Sequence, residues 1–114
     1  LSDRVASKSM DNRLGCFVAL EAARIVHEAG GAAGDFVAVA AVQEEITFAG
    51  AKTTAHALNP EVAVVVDVTH ATDAPGVDEK ELGSHPLGSG PVIQRGSTIQ
   101  RAMTLMCAGS CRRR

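Results

Sequence analysis

Four acidic residues have the types and positions to do chemistry. Asp11 opens a helical repeat, the adjacent Glu44 and Glu45 follow an apolar run, and Asp67 lies near the end of a second apolar run. Carboxylates gathered in one place are costly unless something positive sits among them. A divalent metal is the simplest such partner, because carboxylate oxygens suit hard or borderline cations. Two metals about 3.5–4 Å apart can share one bridging carboxylate. One member of the Glu44-Glu45 pair would then ligate metal while the other takes a proton from metal-bound water. The plain alternative is that both acids meet solvent where a strand ends. Asp11 has its own alternative, since capping and the helix dipole favour an acid in a first turn. Of the four histidines, His70 and His85 fall in a loop and could add ligands. His27 and His56 fall in predicted helices and read as surface residues.

The elements that must position these acids follow from periodicity. Met10 to Ala29 carries Met10, Leu14, Phe17, Val18 and Ile25 at the spacing of one helical face, with Ser9 or Asp11 as cap and Gly30-Gly31 as stop. FVAVAAV (36–42) and VAVVVDV (62–68) do not alternate, so each predicts a strand covered on both faces. Between them AGAKTTAHAL (49–58) predicts a short helix closed by Asn59-Pro60. Strand, helix, strand is a right-handed parallel βαβ unit, and sites in such sheets lie beyond the carboxyl ends of the strands. The three acids Glu44, Glu45 and Asp67 are therefore expected to converge there. The fold class expected is α/β, a small, mostly parallel sheet with flanking helices. Residues 70–90 read as a long Gly- and Pro-rich loop, 91–94 (PVIQ) as a short added strand, and 98–107 as either helix or strand.

Composition bounds the function. A chain of 114 residues with 46% hydrophobic and 21% charged content reads as one globular domain. With three Phe and neither Trp nor Tyr, it offers no aromatic platform for bases or sugars. All thirteen acids lie at or before Glu81, whereas five of the eleven cations follow it, ending in Arg112 to Arg114. An acidic body suits cation binding, and a basic end reads first as a solvated tail. Cys16, Cys107 and Cys111 lack zinc-finger spacing, and Cys16 reads as a small hydrophobe on the helix. No signal peptide or membrane-length apolar run is visible, so a cytoplasmic setting is expected, with no nucleic-acid or membrane partner.

Three stretches go beyond generic spacing: SMDNRLGCFVALEAAR, VAAVQEEITFAGAKTTAHALNPEVAVVVDVTHATDAPGV and LGSGPVIQRGSTI. Together they closely resemble the glutamyl-aminopeptidase family, dinuclear-metal peptidases that include the tetrahedral aminopeptidases and some members labelled endoglucanases. The resemblance covers about residues 8–99, and residues 100–114 look unrelated to it. It implies that Asp11 bridges two divalent ions, zinc or cobalt, that Glu45 ligates one and Asp67 the other, and that Glu44 is the general base. The substrate implied is the free amino end of a peptide. The family has two adjacent acids where this chain reads Asp11-Asn12. Its His-x-Asp motif and a further ligand histidine find no counterpart here, so a truncated zinc-exopeptidase-like domain of weak or no activity is expected.

Two other functions compete. A small glycoside hydrolase could use two of Glu44, Glu45, Asp67 and Asp73 as its acid and base or nucleophile, at about 5–5.5 Å or 6.5–9.5 Å separation. A non-catalytic fragment would expose apolar edges and assemble as a homo-oligomer.

Overall fold

In a computed structural model the described residues are 3–97 and 99–111, with side chains left aside at 109–111; Arg112 to Arg114 of the basic end lie outside them. Five helices follow in order: α1 (Met10–Glu28), α2 (Glu44–Thr47), α3 (Ala49–Leu58), α4 (Glu79–Leu82) and α5 (Arg101–Cys111). They fall into two units, Leu1–Val68 with α1 to α3 and Thr69–Arg114 with α4 and α5.

In the first unit α1 stops as its glycines predict. Gly30 N–H donates to His27 O and Gly31 N–H to Val26 O, the paired closure of a Schellman motif. Along the helix, Arg24 is held on one face by Glu21 and Glu28, three residues before it and four after. The apolar face of α1 has no cover: Leu14, Phe17, Val18 and Ile25 all remain exposed. Helix α3 spans the residues its pattern predicts and ends at Asn59, in the left-handed conformation that Pro60 then follows.

The parallel sheet is overturned. Among the described residues there is no strand, and 36–42, 62–68 and 91–94 run without ladder partners. A Val-rich run becomes a strand only when a second extended segment takes its N–H and C=O groups. Here those groups go elsewhere: Val42 O accepts from Gly50 N–H at the start of α3, and Val66 O accepts from the side chain of Asn12. Burial on both faces fails with the ladder, since Val37 is 56% and Val65 87% exposed. No apolar side chain among the described residues is buried.

The second unit is a loop with two helices. Asp78 caps α4 by accepting from Lys80 N–H at 2.8 Å. Thr72, one of two buried polar residues among those described, pins the loop across thirteen positions: its hydroxyl accepts from His85 N–H at 2.9 Å and donates to Glu79. Of the helix or strand expected at 98–107, α5 realises the helix. No helix among the described residues is long and apolar enough to cross a membrane.

Candidate active site

Asp11 stands at a non-helical entry to α1. Its backbone lies at φ −83°, ψ 109° and that of Asn12 at φ −123°, ψ 54°, so regular helix begins after Asn12. The Asp11–Asn12 peptide is cis. Asn12 then acts as the true cap: its Oδ1 accepts from Gly15 N–H at 2.7 Å, three residues on. Its Nδ2 donates to the Val66 carbonyl at 3.0 Å. One amide thus joins the residue beside Asp11 to the residue beside Asp67. Sequence reasoning set Asn12 aside as a non-ligand departure, although Asn three residues before a helical Gly15 is a recognisable capping position.

Glu44 and Glu45 occupy the first turn of α2. Gln43, left-handed at φ 59°, bends the chain out of the 36–42 segment and into that turn. The contact of Gly50 N–H with Val42 O at 3.1 Å holds α3 against the residue just before the bend. Asp67 spends one carboxylate oxygen locally, accepting from Val68 N–H at 2.8 Å.

The carboxyl of Glu44 is pushed above its usual range. Partial desolvation contributes most, followed by the negative charges of Glu45, Asp67 and Asp11. Glu44 remains exposed, so water screens these charges, but all three act on it in the same direction. The acids of α1, α2 and the 62–68 segment therefore share one region of negative potential. A carboxyl with a raised pKa in such a region binds a proton more readily, as a general base requires.

The donor chemistry suits a divalent cation; the spacing does not. Among the described residues no three His, Cys, Asp or Glu side chains come together to hold one ion. Each of Asp11, Glu45 and Asp67 is exposed. His70 and His85 line a cavity of about 110 Å³ in the second unit, with Thr69, Leu87 and Ser89 among its other walls. Asp73, in that same unit, is a structural acid: its Oδ1 accepts from Leu87 N–H at 2.9 Å.

The chain is 38% identical over 96 residues to a protein of Acetivibrio thermocellus provisionally named an aminopeptidase, covering 81% of this chain and 26% of that one. It is 35% identical over 89 residues to FrvX of Escherichia coli (strain K12), also provisionally named an aminopeptidase, covering 78% and 24%. It is 38% identical over 98 residues to lysyl aminopeptidase of Pyrococcus furiosus, covering 84% and 26%. The chain thus spans about a quarter of the length of the curated relatives it matches. No solved structure matches it with comparable significance. The profile described as M42 glutamyl aminopeptidase matches residues 1–108, past the end of the segment whose motifs carry the resemblance, and the chain belongs to that family.

Proposed function

We propose that this protein removes residues from the free amino end of peptides, with the first unit supplying acidic residues of the active site. The carrying observation is that the charges of Glu45, Asp67 and Asp11 all raise the Glu44 carboxyl within a chain of the M42 family. A clustered negative potential attracts the ammonium group of a free peptide N-terminus, which orients the scissile carbonyl beside Glu44. Glu44 then takes the proton from the attacking water. Asp11, Glu45 and Asp67 have the donor chemistry of metal ligands, but among the described residues no three such side chains come together to hold one ion. The expected turnover of the chain alone is accordingly weak.

The test is hydrolysis of leucyl- and lysyl-p-nitroanilide by the 114-residue chain, with metal content measured in parallel by mass spectrometry. Removing a positioned base costs about 100- to 10,000-fold. Glu44→Gln should therefore abolish whatever turnover is measured, with the helical signal unchanged. An equal rate in the variant would remove Glu44 from the mechanism. The dialysed chain should carry well under one zinc or cobalt ion, and a stoichiometric ion sensitive to chelation would show that the acids do assemble a centre. Hydrolysis of glycosides is not favoured: one oxygen of Asp73 is taken by Leu87 N–H, and Glu44, Glu45 and Asp67 are all exposed.

A further inference from the structure

A second site lies in the other unit and owes nothing to the acidic cluster. Arg95, Gly96, Ile99, Arg101, Thr104 and Leu105 line a cavity of about 350 Å³ at the start of α5. Pockets of that size hold small organic ligands rather than bare ions. Neither arginine forms an ion pair among the described residues. No acid follows Glu81 in the sequence, and the ion pairs among the described residues are those of Arg24 with Glu21 and Glu28. Nor does the first turn of α5 contain an acid, so the positive end of that helix adds to the same potential. Thr104 also lines the cavity. It is only 7% exposed, and its N–H is spent on Gln100 O. Two guanidinium groups and a threonine hydroxyl lining one cavity suit an oxygen acceptor. Ile99 and Leu105 supply apolar wall beyond it.

We propose that this cavity binds the carboxylate of a small organic acid bearing an apolar arm, the chemistry presented by the free carboxyl end of an apolar amino acid or short peptide. The two guanidinium groups take the carboxylate oxygens, Thr104 donates its hydroxyl, and the arm lies on Ile99 and Leu105. Calorimetric titration of the full chain with N-acetyl-leucine tests this, with N-acetyl-leucinamide and inorganic phosphate as comparison probes. Saturable binding of N-acetyl-leucine is expected, at least tenfold tighter than either comparison probe. Arg95→Gln and Arg101→Gln should each weaken it at least tenfold, while Arg4→Gln, the same charge loss on the first unit, should not. Equal binding of the neutral amide or of phosphate overturns the proposal, as does undiminished binding in both arginine variants. If either substitution disturbs α5 by circular dichroism, the comparison of acid with amide on the unaltered chain still decides.

Discussion

The amide of Asn12 is held at both ends, by Gly15 N–H on its oxygen and by the Val66 carbonyl on its nitrogen. Replacing it therefore acts on α1 and on the approach to Asp67 together. Asn12→Ala should cost about 1 kcal/mol of α1 stability, the usual worth of an N-cap, seen as reduced helical signal and an earlier thermal transition. Gly15→Ala tests the same joint from the other side. A Cβ at Gly15 would sit 2.5 Å from both terminal atoms of Asn12, so the amide must leave its position. The helix gains about 1 kcal/mol from Ala over Gly and loses a similar amount with the cap. Its stability should barely move. What should change is the environment of Val66 and Asp67, read as amide chemical-shift changes there by NMR; unshifted resonances in that segment would show that Asn12 does not connect the two.

At the scale of the elements, α1 and α3 stand on different supports. The Arg24 guanidinium holds the Glu21 carboxyl below its usual range, chiefly through the hydrogen bond to it. A depressed carboxylate stabilises the helix above the ordinary value near 4.5, and that contribution is lost as pH falls through the lowered one. The helical signal of the chain should thus fall below pH 4.5 more steeply than that of Arg24→Gln, and salt should narrow the difference because the pair is exposed. Helix α3 depends instead on a close approach. A Cβ at Gly50 would lie 2.5 Å from the backbone N and O of Val42, which no side-chain rotation relieves. Gly50→Ala should cost about 1–3 kcal/mol and remove the hydrogen-exchange protection of the residue 50 amide while the interior of α3 keeps its own. These helices were legible in the sequence because their signals are local: apolar spacing, the Gly30-Gly31 stop and Asn59-Pro60. The sheet was misread because a Val-rich run carries no information about what its backbone bonds will meet, and here Gly50 and Asn12 meet them. The acids Asp11, Glu44, Glu45 and Asp67 were legible as candidates, and the charges that raise Glu44 come from the other three. Asn12 and Thr72 were not singled out, since a polar side chain that links distant segments leaves no periodic trace.

For the molecule as a whole, the unresolved physical problem is apolar surface. Val64 is 66% exposed and Val65 87%, and Phe17 and Leu20 of α1 are each 61% exposed. Single exposed hydrophobics are ordinary, but contiguous apolar surface beyond a few hundred Å² marks an interaction site in a soluble chain. Burial releases about 25 cal/mol per Å², so a second copy covering such segments gains several kcal/mol before the cost of association is met. The net charge of −2 is too small to oppose this by repulsion. Self-association is the expected consequence, with the weight-average mass by light scattering rising with concentration across the micromolar range. Substituting Val65→Lys together with Val64→Thr should shift that rise to higher concentration. Neither residue is buried in the first unit, so both helical signal and thermal transition should be preserved in the variant. A mass that stays at 11.8 kDa at the highest concentration reached would mean that this surface is tolerated by the isolated chain.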